Sequence, residues 1–192
     1  HMFAFKKKYF LIIESIKDIN LSNIKNGKKF VIIYRSKEIK DHLPDLKRFR
    51  EYCRQKKIKF YIANDYKLCV LIKSDGIYLS SYNKTFKALS LLKANFNIIG
   101  SAHNVNEIKM KINQGCGYIL LSKLFLVNYD KNSSSLGLVK YNQYLRDIYK
   151  KLIPLGGINS NNLNKLKMIN CEGFALLSEI KKKPAKILNR LF

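Results

Sequence analysis

Short apolar runs recur along the whole chain, and segments with helical spacing separate them. The runs fall at residues 9–14, 30–34, 59–63, 76–80, 97–101, 118–121, 152–156 and 173–177. They are apolar at nearly every position, as expected of strands buried on both faces. Leu46, Phe49 and Cys53 give 45–56 an amphipathic stripe. Phe86, Leu89 and Leu92 do the same for 85–93, Ile108 and Ile112 for 105–113, and Leu163, Leu166 and Ile169 for 161–169. Asp75-Gly76 and Gly115-Cys116-Gly117 mark helix-to-strand turns. Eight strand–helix units in tandem predict an α/β fold, a (β/α)8 TIM barrel, rather than an open doubly wound sheet. The length of 192 residues suits a single domain over 3–192, with His1-Met2 read as a cloning remnant. It is short for such a barrel, so the first βα unit is expected to be trimmed. The polar stretch 128–137 after the sixth strand, with Ser133-Ser134-Ser135, reads equally as a mobile lid or a solvated loop.

The formal charge of +24 raises nucleic acid as a partner. Lysine outnumbers arginine 31 to 6, however, and the lysines are scattered over nearly every helix rather than gathered in a stripe. With the abundance of Ile and Asn, that is the mark of an AT-rich genome, and recognition surfaces favour the planar fork of arginine. Specific nucleic-acid binding is therefore not expected, while weak adhesion to polyanions at low salt is. No apolar run is long enough to span a bilayer, so no membrane role is expected. Cys53, Cys69, Cys116 and Cys171 form no C-x-x-C pair and read as buried thiols of a cytoplasmic protein. The sequence leaves a homo-oligomer open.

Candidate chemistry is sought at the C-terminal ends of the strands, where barrels of this kind place their sites. Pro154-Leu155-Gly156-Gly157-Ile158-Asn159 and Gly173-Phe174-Ala175-Leu176-Leu177-Ser178 are successive strands that end in small residues. Gly156, Gly157, Leu177 and Ser178 then form a phosphate cradle of backbone N–H groups after strands seven and eight. Arg35 and Lys37 alternate onto one face after strand two, where both can reach an anion. Asn64 and Asp65 follow strand three; Asp65 reads as a Mg²⁺ ligand or as the N-cap of the next helix. Ser101 and His103 follow strand five, Ser101 as a phosphate or leaving-group contact and His103 as a contact or a loop organiser. Lys123, after strand six, reads as an anion clamp, a base or a surface lysine.

These residues, in this order, resemble the thiamine phosphate synthase / thiazole tautomerase family. The matching stretches are Ile33-Tyr34-Arg35-Ser36-Lys37, Asn64-Asp65, Ser74-Asp75-Gly76-Ile77-Tyr78-Leu79, Ser101-Ala102-His103, Gly156-Gly157-Ile158 and Gly173-Phe174-Ala175-Leu176-Leu177-Ser178-Glu179-Ile180. The resemblance implies an enzyme that joins a pyrimidine methyl diphosphate to a thiazole phosphate and releases diphosphate. It implies small phosphorylated substrates, Mg²⁺ on Asp65 and Asn83, diphosphate on Arg35 and Lys37, and thiazole phosphate on the glycine loops. Departures cluster on the diphosphate side. Ile33 replaces a glutamine, Asn83 replaces the second metal aspartate, and the strand-six motif lacks its threonines, with its lysine displaced to Lys131. Lys123 stands where the tautomerase branch has histidine. Three readings stay open: a synthase with Lys123, Ser101 and Lys131 in the catalytic centre; a tautomerase; and a phosphate-binding barrel without catalysis.

Overall fold

Eight parallel strands close into a barrel in the computed structural model, which describes residues 8–38, 41–92, 96–126, 134–148 and 151–182. The strands are β1 (Lys8–Ile13), β2 (Phe30–Tyr34), β3 (Lys59–Ala63), β4 (Gly76–Leu79), β5 (Asn97–Ala102), β6 (Tyr118–Ser122), β7 (Lys151–Leu155) and β8 (Gly173–Leu176). Each pairs with its sequence neighbours, and β1 closes the ring on β8 from Lys8 opposite Gly173 to Leu11 opposite Leu176. The eight apolar runs of the sequence are these eight strands, with ends shifted by one residue or so.

The two-residue period of each strand sorts its side chains between two cores. Phe10, Ile12, Val31, Ile33, Tyr61, Tyr78, Ile99, Leu120, Ile153, Leu155 and Ala175 fill the barrel. Their strand neighbours, such as Leu11, Ile32, Phe60, Ile77, Ile119 and Phe174, pack outward against the helical layer. Burying one such aliphatic or aromatic side chain contributes about 1.5–3 kcal/mol, so both faces of every strand resist a polar substitution.

The outer layer holds α1 (Leu43–Gln55), α2 (Tyr66–Leu71), α3 (Leu89–Leu92), α4 (Val105–Asn113), α5 (Gly137–Asp147) and α6 (Ser178–Lys182). Pro44 sits in the first turn of α1, where its missing N–H is harmless, and Leu46 and Cys53 form its buried face. Asn104 caps α4 by accepting from the Glu107 N–H at 3.0 Å. Between β1 and β2, three short 3₁₀ turns, Ile16–Asp18, Leu21–Asn23 and Gly27–Lys29, replace a full helix. This is the trimmed first unit that the chain length predicts. The buried Asp41 carboxylate ties that segment down, accepting from Ser15 Oγ, the Ile16 N–H and the Tyr34 hydroxyl.

Two expected helices differ. Among the described residues of 85–93 only Leu89–Leu92 is helical, because Thr85 is held by Asn83 and Gln114 in the preceding turn. The 161–169 stripe is a 3₁₀ run, Leu163–Met168, that still buries Leu163 and Leu166. The polar stretch after β6 ends where α5 begins at Gly137; residues 128–133 of it lie outside the described residues. All four cysteines are buried, and none is in a disulfide. Among the described residues no helix is long and apolar enough to cross a membrane.

Candidate functional site

Beyond the inner core, the same alternation carries Glu14, Arg35, Ser80, Ser101 and Ser122 onto the inward face at the C-terminal rim. All five line a cavity of about 1680 Å³ at the mouth of the barrel. Its floor is Tyr78, Ser101 and Leu155, and its walls run from β1 round to β7. The lining is cationic, with Arg35, Lys37, Lys67 and Lys87 against the carboxylates Glu14 and Asp65. The β7–β8 glycine loops stand beside this cavity rather than among its lining residues.

The wall after β3 and β4 is a hydrogen-bonded unit centred on Asn64. Asn64 sits in the left-handed region at φ 59°, which asparagine tolerates better than most residues. Its Nδ2 donates to Ser80 Oγ (2.8 Å) and the Tyr82 hydroxyl (3.1 Å). Its Oδ1 accepts from the Ser80 N–H and from Asn83 Nδ2, both at 3.0 Å. Asn83 Oδ1 in turn accepts from the N–H and the hydroxyl of Thr85, both at 3.1 Å. Behind this wall lies Lys111 of α4, fully buried. Its Nζ donates to the carbonyls of Ser80 (2.8 Å) and Asn83 (2.7 Å) and to Gln114 Oε1 (2.9 Å). Three acceptors match the three N–H bonds of an ammonium, whereas a neutral amine has one donor too few. Desolvation nevertheless lowers the Lys111 pKa from its ordinary value. A Cβ on Gly100 would lie 2.7 Å from Lys111 Cδ, so the missing side chain there makes room for the lysine stem.

The remaining candidates are placed as follows. Ser101 is buried at the cavity floor beside Tyr78. The Tyr78 hydroxyl is buried and meets no partner in hydrogen-bonding geometry. Burial pushes its pKa up, and Ser101 and Arg35 oppose that in part. His103 is on the rim, its Nδ1 3.0 Å and its backbone N–H 2.7 Å from Glu107 Oε2, which is the loop-organising arrangement. Lys123 packs against the glycine loop after β7: a Cβ on Gly156 would meet its Cα, Cβ and Cγ at 3.1–3.3 Å. Gly156 and Gly157 have φ of 95° and 69°. At Gly157 a Cβ would also lie 2.5 Å from the Phe125 carbonyl oxygen, so the β6 loop and the β7 loop touch only because glycine is there. Leu177 and Ser178 are half-buried, and Ser178 opens α6. Lys131 lies outside the described residues.

The expected Mg²⁺ set does not fit this wall. Asp65 Oδ1 accepts from the Leu68 N–H at 2.9 Å, which makes Asp65 the N-cap of α2. Asn83 offers an amide in place of a carboxylate, and both ends of that amide are engaged. One capping carboxylate is a poor match for a hard cation that needs near-octahedral oxygen ligands. Among the described residues no group of three or more His, Cys, Asp or Glu side chains could hold a metal ion.

Sequence reasoning passed over Lys111, Gln114, Lys67 and Lys87. Lys111 had a signal: it follows Ile108 by three positions and so shares the apolar stripe of α4. Lys67 and Lys87 had none that separates them from the other lysines.

A model of the thiamine monophosphate synthase family matches residues 14–180. A thiamine-phosphate synthase of Prochlorococcus marinus (strain AS9601) is 27% identical over 172 residues, covering 88% of this chain and 48% of that protein. The thiamine-phosphate synthase of Fusobacterium nucleatum is 27% identical over 161 residues, covering 82% of this chain and 78% of that protein. The fold is also that of a thiamine phosphate pyrophosphorylase from Pyrococcus furiosus, at a TM-score of 0.76 and 15% identity, with 96% and 93% of the two chains covered. The chain spans about half the length of the Prochlorococcus relatives it matches. It is a (β/α)8 barrel by architecture, and it belongs to the thiamine monophosphate synthase family.

Proposed function

We propose that this barrel joins hydroxymethylpyrimidine diphosphate to thiazole phosphate, forming thiamine phosphate and releasing diphosphate. The observation that carries the reading is the cationic mouth, where Arg35 and Lys37 share one cavity with the buried Ser101 hydroxyl. In this reaction the bond between the pyrimidine methylene carbon and the diphosphate oxygen breaks, and its electron pair leaves with diphosphate. The thiazole ring nitrogen gives its lone pair to the same carbon. The protein moves no proton in that exchange; it neutralises the leaving group and holds the nucleophile in line. Arg35 can clamp two oxygens of the leaving group at once, and Lys37 adds a mobile charge. The Tyr78 hydroxyl and Ser101 Oγ give the floor polar groups for the pyrimidine, next to an apolar Ile33. Gly156, Gly157, Leu177 and Ser178 remain the place for the thiazole phosphate, with Lys123 beside them.

The test is formation of thiamine phosphate by purified protein given both substrates in a buffer that contains Mg²⁺. Turnover that falls at least about 100-fold in Arg35→Ala is the expected result. A folded protein that makes no thiamine phosphate overturns the reading. Proton exchange or thermal stabilisation with the thiazole phosphate alone would then divide the tautomerase from the non-catalytic alternative.

A further inference from the structure

The wall that should hold a divalent cation instead presents ammonium groups. Lys67 follows Asp65 on α2, and Lys87 follows Asn83 in the turn before α3, and both line the cavity. Each element that would bring a metal ligand therefore brings a lysine to the same space. Asn83 cannot turn to a cation without giving up Asn64 and Thr85. From inside the wall, the Lys111 ammonium already occupies the carbonyls of Ser80 and Asn83, at 2.8 and 2.7 Å. Carbonyl oxygens drawn onto an ammonium are not available to another cation, and the fixed positive charge disfavours a divalent ion nearby while favouring an anion. None of the three groups bonded to Lys111 Nζ is a carboxylate, so no directly bonded counter-charge cancels that effect.

We infer that the mouth of this barrel holds a diphosphate group without a divalent cation, on Arg35, Lys37, Lys67 and Lys87, with buried Lys111 as a tethered cation behind the wall. The inference rests on the proposed function for its ligand. It differs in assigning the charge neutralisation to side chains of this chain alone.

The test is calorimetric titration of inorganic diphosphate into the full chain, stripped of metal and kept in EDTA, and again with excess Mg²⁺. The two dissociation constants are expected to agree within about threefold. Asp65→Asn keeps a helix cap but removes the carboxylate, so it is expected to bind diphosphate in EDTA equally well or up to about threefold tighter. Lys67→Ala and Lys87→Ala are each expected to weaken binding by about fivefold, the modest effect of exposed charges. Lys111→Met, in which the side chain keeps its channel, is expected to weaken it about tenfold; should that variant fail to fold, the other variants decide. Binding that vanishes in EDTA and returns with Mg²⁺, or that Asp65→Asn abolishes, overturns the inference and leaves the proposed function standing. Absence of binding in both conditions overturns both.

Discussion

The two halves of the barrel mouth are built by different means. After β6 and β7 the chain is shaped by backbone. The Leu124 N–H donates to the Leu155 carbonyl at 2.9 Å and the Phe125 N–H to the Gly156 carbonyl at 3.1 Å, and two left-handed glycines let the strands' ends meet. After β3 and β4 it is shaped by side chains: Asn64, Asn83, Gln114 and Lys111 hold one another and the carbonyls around them. A backbone-built site needs only small residues and can receive any phosphate. A side-chain-built site is specific, and it can be re-purposed by a single side-chain replacement. The difference locates where a substitution will change chemistry rather than stability.

The sharpest break of the backbone-built half is Gly157→Ala. Left-handed φ costs an L-residue about 1–2 kcal/mol, and the new Cβ would press to 2.5 Å on the Phe125 carbonyl. We expect a loss of about 3 kcal/mol in unfolding free energy, read by chemical denaturation. Diphosphate affinity of the folded fraction should stay within about twofold, because the β2–β4 wall does not depend on that contact. A loss of diphosphate binding equal to that of Arg35→Ala would show that the halves are not separate. Arg35→Ala is the converse experiment. It should leave the melting temperature within about 2 °C, since surface substitutions outside special features change stability little. It should lower kcat/KM by about 100-fold, equivalent to about 2.7 kcal/mol of transition-state stabilisation.

The same division decides what could be read from the chain. Barrel, strand order and glycine loops were legible because period-two burial and positive-φ glycines leave direct marks on sequence: Phe10, Ile12, Val31 and Ile33 alternate with Leu11 and Ile32, and Gly156-Gly157 ends a strand. Arg35, Lys37 and Ser101 were legible for the same reason, as continuations of that alternation past the strand ends. The asparagine unit was not. Nothing in Asn64-Asp65 or Asn83 shows that one amide will bond another 19 positions away. Lys111 was passed over because lysine is common in this chain, although its place three residues after Ile108 sets it on the buried stripe of α4. Short helices were the other weak point: α2, from Tyr66 to Leu71, exposes Val70 and Leu71 and so lacks a clean apolar stripe.

Two helices beside the side-chain-built half carry buried thiols, Cys53 on α1 and Cys69 on α2, and alkaline pH probes them. Burial pushes the Cys53 thiol up to about 12 and the Cys69 thiol up to about 11. In the unfolded chain both lose their protons near the ordinary cysteine value. The folded state therefore keeps protons that the unfolded state releases, and stability falls as pH rises. The contribution is fully present below the unfolded thiol pKa and is lost progressively up to the folded value. At pH 10, Cys53 alone should remove on the order of 1–2 kcal/mol relative to neutral pH. Denaturant unfolding at pH 7 and pH 10 of wild type and Cys53→Ala checks this: the variant should lose less on the pH change, and an equal loss would mean that the thiol does not report on folding.

The smallest expected effect separates two uses of one residue. Asp65 accepts from the Leu68 N–H at the start of α2, and its carboxylate also faces a cavity lined by lysines. A capping side chain can be neutral or charged, because asparagine and aspartate satisfy a helix N-terminus almost equally. Asp65→Ala should therefore cost about 1 kcal/mol in denaturant unfolding, and Asp65→Asn no more than a few tenths. If both variants lose the same stability, the negative charge rather than the hydrogen bond is what holds α2, and Lys67 and Lys87 are its counter-ions rather than a ligand's. If Asp65→Asn unfolds like wild type, the cap explains the residue's place in the fold. The cationic wall around it is then free to take an anion of its own.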